Sequence, residues 1–144
     1  MTDGDDTLSD QTALLSLAFD TSTVTTLRHE VTRLALAAGL HDDRLDDFVI
    51  AVNELVINAV AHGGGRGHLH LDRVGANLIC RVTDQGGPAH LTPPDQVPTP
   101  TAVGGRGLWL ADHLADSATF ASHPGGLTAT ITMATAGPWP ADRP

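Results

Sequence analysis

Apolar residues recur at spacings of three and four in two segments of the chain, which predicts two amphipathic helices. The first helix runs from about 23 to 38 and stops at Gly39, on the apolar positions Val24, Leu27, Val31, Leu34 and Ala38. The second begins after Asp42 or Asp43 and ends at about His62, before Gly63-Gly64-Gly65. It packs through Leu45, Phe48, Val49, Val52, Leu55, Val56 and Ala59.

Short apolar runs bounded by turn residues predict strands. They cover residues 13–19, 68–73, 78–83, 117–122 and 127–133, with tight turns near Gly75 and at His123-Pro124-Gly125-Gly126. A third, short helix is predicted from Leu108 to about Ala115. This order predicts an α+β two-layer sandwich, in which helices cover one face of a mostly antiparallel mixed sheet.

Both ends of the chain and one internal segment lack either hydrophobic period. We expect an acidic, disordered tail over residues 1–11 and a Pro-rich tail over 135–144, which leaves one domain at 12–134. The segment rich in Pro and Gly between Asp84 and Arg106 predicts a long functional loop, a lid at about 85–106.

Charge and residue usage narrow the function. The net charge of −9 argues against direct binding of nucleic acid. All eight basic residues are arginines, so a P-loop lysine site and Schiff-base chemistry are excluded. The chain has a single cysteine, Cys80, within an apolar run, and it shows neither a signal-like amino terminus nor an apolar run of membrane-spanning length. These features favour a cytoplasmic protein without a membrane partner.

Three polar residues on the second helix suggest chemistry. Glu54, Asn58 and His62 are spaced by four and form one stripe, roughly opposite the packing positions Val52, Leu55 and Ala59. Asn58 offers a neutral oxygen suited to Mg²⁺, and Glu54 could accept a proton from water or a hydroxyl group. A solvated polar face is the alternative interpretation of the stripe.

Two further segments suggest a nucleotide. Asp84 closes a strand before Gly86, where it is either a turn former or an acceptor for the exocyclic amine of adenine. The turn Gly104-Gly105-Arg106-Gly107 precedes a helix. Its glycines either serve a phosphate, which the free N–H groups and dipole of the helix favour, or are present for purely steric reasons.

Together these segments resemble the GHKL (Bergerat-fold) ATPases over residues 12 to 134, because three motifs appear in the family's order. Residues 54–63 look like the N-box, residues 84–86 the G1 box and residues 105–107 the G2 box. The resemblance implies ATP and Mg²⁺ as cofactors, with Glu54 as the general base and Asn58 as the metal ligand. It implies that the other nucleotide-binding positions are His62, Gly63, Asp84, Gly86, Gly104, Gly105, Arg106, Gly107, Leu108 and Thr128.

Within the family, the chain resembles the anti-sigma-factor serine/threonine kinases, through its small size, His62-Gly63 and the Gly-Arg-Gly-Leu sequence. That resemblance implies a sigma factor as a binding partner, an anti-sigma-factor antagonist as the phosphorylated substrate, and a homodimer as a possible assembly. Two departures stand out: Gly87-Pro88 follows Gly86 where related branches often have Gly-x-Gly, and Arg106 either reaches a phosphate or lies in solvent.

Other functions and placements stay open at this point. The chain is alternatively a non-catalytic module that uses ATP to shape a partner surface, or a catalytic domain that acts on a separate histidine phosphoacceptor. Ile50 and Ile57 flank the polar stripe, where they either line an adenine pocket or pack in the core.

Overall fold

The computed structural model describes residues 11–85 and 105–135, and the side chains of all of these except residues 105 and 106. Its five strands are β1 (Gln11–Asp20), β2 (Arg66–Val74), β3 (Asn77–Asp84), β4 (Ser117–His123) and β5 (Gly126–Ala134). Its three α-helices are α1 (Val24–Ala37), α2 (Asp42–His62) and α3 (Gly105–Leu114), with a 3₁₀ turn, Thr21–Thr23, before α1. None of these helices is long and apolar enough to cross a bilayer.

The strands form one sheet in the order β1-β2-β3-β5-β4. All four described pairings are antiparallel, so the parallel component of the predicted mixed sheet does not occur in this part of the chain. β5 lies between β3 and β4, and the crossing from β3 to β4 includes α3. The predicted α+β sandwich is confirmed.

Side-chain alternation determines which face of the sheet the helices cover. On β3 the buried positions are Leu78, Cys80, Val82 and Asp84; on β5 they include Leu127, Ala129, Ile131 and Met133. The apolar residues among these join the buried side chains of α1 and α2 in one core. Cys80 is a free, buried thiol, as the apolar run around it predicts, and burial raises its pKa well above the usual range.

Turn chemistry explains the ends of two strands. A two-residue connection joins β2 to β3, and its first residue, Gly75, has φ +60°, as a type II′ turn requires. Gly126 opens β5 with φ +136°. Both glycines supply backbone angles that other residues rarely adopt.

The third helix begins earlier than the sequence predicts. α3 starts at Gly105, so residues 105–107 form its first turn, whereas the apolar pattern placed the helix start at Leu108. The pattern could not find this turn because glycine carries no side chain to pack. The predicted lid and both tails lie almost wholly outside the described residues.

One ion pair fixes α2 over the sheet. The Arg44 guanidinium donates to both carboxylate oxygens of Asp116, at 3.3 and 2.7 Å, and to the carbonyl oxygen of Ala134 at 2.7 Å. Asp116 also accepts a hydrogen bond from the backbone N–H of Ala134. About a quarter of each charged side chain is exposed, so solvent screens the pair only in part. The start of α2 is thereby tied to the start of β4 and the end of β5.

We expect Arg44→Ala to lower the free energy of unfolding by about 1–2 kcal/mol, because it removes a partly buried, bidentate pair. Chemical denaturation measures this loss. Arg33→Ala is the matched control, since Arg33 pairs with Glu30 on the exposed surface of α1, and it should leave stability nearly unchanged. Equal losses in the two variants would contradict the anchoring role of Arg44.

Candidate functional site

Asn58 lies on the buried side of α2. It is 6% exposed and lines a cleft together with Leu55 and Ala59. The predicted stripe opposite the packing side is therefore wrong for this residue, because at 100° per residue position 58 lies only about 60° around the helix from the buried position 55. Glu54 and His62, one turn before and after Asn58, are half-buried. Asn58 thus lies in the interior, and Glu54 and His62 lie at its border with solvent.

The Oδ1 atom of Asn58 is buried without a hydrogen-bond partner among the described residues. Leaving a buried carbonyl oxygen unpaired costs about 1–3 kcal/mol, so such an atom in a cleft calls for a ligand. A neutral amide oxygen suits a hard divalent cation such as Mg²⁺, which takes few protein oxygens and completes its shell with water or phosphate. Asn58 therefore fits the predicted metal-ligand role.

Asp84 is the second buried polar residue of the cleft, at 8% exposed. Its Oδ1 accepts a hydrogen bond of 2.9 Å from the backbone N–H of Leu127, which fixes the carboxylate across β3 and β5. The next residue, Gln85, donates its N–H to the carbonyl oxygen of Gly63 at 3.0 Å. The end of α2 and the end of β3 are thus joined directly.

Gly63 allows this junction to close. A Cβ atom at position 63 would overlap the Asp84 carboxylate, so a larger residue there requires the carboxylate to move. The predicted role of Gly63 as a helix terminator is also confirmed, since it caps α2 and donates its N–H to Ala59 at 2.9 Å.

The amino end of α3 lies against Glu54. A Cβ atom at Gly107 would stand 3.1 Å from Glu54 Oε1 and 3.6 Å from the Glu54 carbonyl oxygen, so glycine permits the close approach. Leu108 follows and is fully buried in the cleft wall. Gly105 and Arg106 belong to the first turn of α3, whereas the predicted binding positions Gly86 and Gly104 lie outside the described residues.

These elements line a small cleft. Besides Asn58 and Asp84, its walls are apolar: Leu55, Ala59, Val82, Leu108, Leu127 and Ala129. Sequence reasoning missed five of these, although Val82, Leu127 and Ala129 share the strand alternation of Asp84 and could have been found from it.

The structure does not bring Thr128 to the cleft. Thr128 points to the open face of the sheet, where its Oγ1 lies 3.3 Å from the Thr83 hydroxyl and 3.0 Å from Nε2 of His123. Its neighbours along β5 line the cleft instead. Ile50 and Ile57 are also elsewhere, each 44% exposed, so they neither line this cleft nor pack in the core.

A second cavity lies between α1 and α2. Valine and leucine side chains make up most of its lining, and its polar members are Arg28 and Asn53. It lacks convergent polar groups of the kind that orient a ligand, so we interpret it as a gap between two packed helices. The cleft with Asn58 and Asp84 is the better candidate site.

The cleft combines three chemical features. An anchored carboxylate beside apolar walls suits a planar heterocycle with an amino group. The amino end of a ten-residue helix offers backbone N–H groups and a partial positive charge to phosphate. A buried amide oxygen and a half-buried carboxylate one helical turn apart suit a metal ion and a proton acceptor.

Comparison with known proteins supports this interpretation. Residues 17–133 match the family model described as Histidine kinase-like ATPase domain. The RsbU and RsbW domains of Rv1364c from Mycobacterium tuberculosis superpose with a TM-score of 0.62 and 22% identity, over 83% of this chain and 32% of that one. The histidine kinase AdeS from Acinetobacter baumannii superposes with a TM-score of 0.52 and 17% identity, over 86% of this chain and 69% of that one.

At these identities the two structures show a shared fold, and this chain spans about a third of the length of the mycobacterial structure. No curated protein sequence matches the chain.

We expect Gly63→Ala to lower the free energy of unfolding by roughly 1–3 kcal/mol, because the added methyl group collides with Asp84 in a packed junction. Denaturant titration followed by circular dichroism measures the change. Gly125→Ala is the control, since a Cβ there meets His123 only at ordinary contact distance, 3.4 Å. A Gly63→Ala protein as stable as this control would refute the close approach.

Proposed function

Because the chain belongs to the family of histidine kinase-like ATPase domains, we propose that it binds Mg·ATP in this cleft and transfers the γ-phosphate to a serine of a partner protein. The buried, unpaired Oδ1 of Asn58 carries the proposal. An apolar cleft with such an atom, beside an anchored carboxylate and a helix amino end, has the donors and acceptors that a nucleotide and its metal ion need.

In this proposal the adenine ring enters the apolar end of the cleft. A carboxylate accepts several hydrogen bonds, so Asp84 can receive the exocyclic amine of adenine while it also holds the N–H of Leu127. Guanine presents a carbonyl oxygen at the corresponding position, which a carboxylate repels. Asp84 would therefore select ATP over GTP.

The phosphates extend from the adenine towards the amino end of α3, where the backbone N–H groups of its first turn bind them. Gly105, Arg106 and Gly107 form that turn, and Gly86 and Gly104 remain proposed contacts from the lid. Asn58 would hold Mg²⁺, with His62 and Gly63 bordering the nucleotide. Bound there, Mg²⁺ neutralises charge on the phosphate oxygens.

Glu54 is the proposed general base, since its carboxylate stands at the edge of the cleft, one turn from Asn58. The serine oxygen forms a bond to the γ-phosphorus. At the same time the γ-phosphorus loses its bond to the oxygen that bridges it to the β-phosphorus, and ADP leaves. The hydroxyl proton passes to Glu54. Gly107 keeps the first turn of α3 in contact with this carboxylate.

The proposed partners are a sigma factor and an anti-sigma-factor antagonist that carries the acceptor serine, so the protein would act in the cytoplasm as an anti-sigma factor. The fold shared with a structure described as containing an RsbW domain supports this branch of the family. A homodimer remains a proposal on the same grounds.

The second candidate function is phosphotransfer to a histidine on a separate protein. The fold shared with the histidine kinase AdeS favours it. Phosphate on histidine is acid-labile and phosphate on serine is acid-stable, so acid treatment of the labelled partner distinguishes the two reactions.

The deciding experiment is incubation of the protein with Mg·[γ-³²P]ATP and its cognate anti-sigma-factor antagonist. We expect acid-stable label on serine, and Glu54→Ala should slow its appearance at least about a hundredfold while ATP still binds. Transfer at equal rates by wild type and Glu54→Ala would refute the assigned base. A wild-type protein that binds ATP but transfers no phosphate would instead support the non-catalytic, partner-binding alternative.

We expect Asn58→Ala to remove most of the magnesium dependence of ATP binding, because it deletes the proposed metal ligand. Isothermal titration of ATP with and without Mg²⁺ should show that the factor by which Mg²⁺ raises ATP affinity is about tenfold smaller in Asn58→Ala than in wild type. Asn53→Ala is the control, since Asn53 lies on the same helix but borders the cavity between α1 and α2. Equal magnesium dependence in both variants would contradict the role of Asn58.

A further inference from the structure

One side of α2 exposes apolar side chains that the core does not use. Ile50 and Ile57 are each 44% exposed, and they are seven residues apart, so they project on the same side of the helix. Asp43 and Asp46 continue this side towards the start of the helix and are exposed as well. We call these four residues the outer face of α2.

The outer face borders the proposed general base. Glu54 lies one turn after Ile50 and one turn before Ile57, so both isoleucines stand beside its carboxylate. On its other side Glu54 is in contact with the first turn of α3 through Gly107. A partner that covers the two isoleucines would therefore lie next to Glu54.

We infer that the outer face is the docking surface for the phosphoacceptor protein, an inference that rests on the proposed phosphotransfer. The acceptor would present its serine with apolar side chains beside it, which cover Ile50 and Ile57. Burying the exposed part of two isoleucines is favourable, and neither residue has another role in the described core.

Charge further specifies the acceptor. Asp43 and Asp46 form an acidic end to the outer face, in a chain of net charge −9. A basic residue on the acceptor, on the side nearest the start of α2, would complement these carboxylates and speed association. The acceptor is thus a protein whose serine lies in an apolar patch with a basic margin.

A second copy of the chain is a poorer occupant of this face. Two isoleucines per protomer offer far less area than the roughly 800 Å² per partner of a stable interface. Two acidic ends and two Glu54 carboxylates would also be brought together, and the base would be covered.

The test compares kinetic constants of full-length variants, with the antagonist used to test phosphotransfer as the acceptor. We expect the double variant I50Q/I57Q to raise the acceptor KM about tenfold, with kcat and ATP affinity close to wild type. D43N/D46N should raise KM about threefold at low salt, and this difference should shrink at high salt. Leu36→Gln is the control, because Leu36 is 55% exposed on α1, opposite the buried Leu27, Val31 and Ala35.

Each result decides between the claims. An unchanged KM in I50Q/I57Q, while wild type transfers phosphate, would overturn the docking surface and leave the proposed function intact. An equal rise in KM for Leu36→Gln would also overturn it, because the effect would then belong to any exposed apolar residue. If wild type binds ATP but labels no acceptor, the proposed function fails and the docking surface fails with it.

Discussion

The hydrogen bond between Asp84 and the backbone of Leu127 closes the edge of the sandwich on which the candidate site depends. It links β3 to β5 at the point where Gly63 ends α2, and the hydrogen bond from Gln85 to Gly63 ties the helix to the strand. A carboxylate can remain buried there because backbone N–H donation compensates for lost hydration. Hydrogen bonds to backbone groups of Gly63 and Leu127 therefore fix the position of Asp84 relative to the helix that carries Asn58.

Glu54 and Asn58 on α2 occupy environments that match their proposed chemistry. Burial of a neutral amide costs much less than burial of an isolated carboxylate, so Asn58 can lie in the buried part of the cleft. Glu54 sits one turn away at the edge, where water still reaches a charged group. The helix thus separates the proposed metal ligand from the proposed base by a change in solvent access as well as by distance.

The sequence predicted the elements well, because helical periodicity in α1 and α2 and alternation in the strands follow directly from one buried face. It also predicted that Glu54, Asn58, Asp84 and Leu108 belong near one another. It misplaced two residues that the periods themselves locate: helical spacing puts Asn58 beside the buried Leu55, and strand alternation puts Thr128 on the face opposite Leu127 and Ala129. By contrast, the exposure of Ile50 and Ile57 depends on how distant segments pack, and periodicity alone could not separate it from core packing.

The anchors at both ends of α2 restrict how its sequence can change over evolution. Arg44 fixes the beginning of the helix to β4 and β5, and Gly63 fixes its end against Asp84. One inserted or deleted residue between them would rotate everything beyond it by about 100°. Such a change would carry Asn58 out of the cleft and move Glu54 away from Gly107. Substitutions can accumulate at positions of this helix that make none of these contacts, whereas a change in its length would displace Glu54 and Asn58 together.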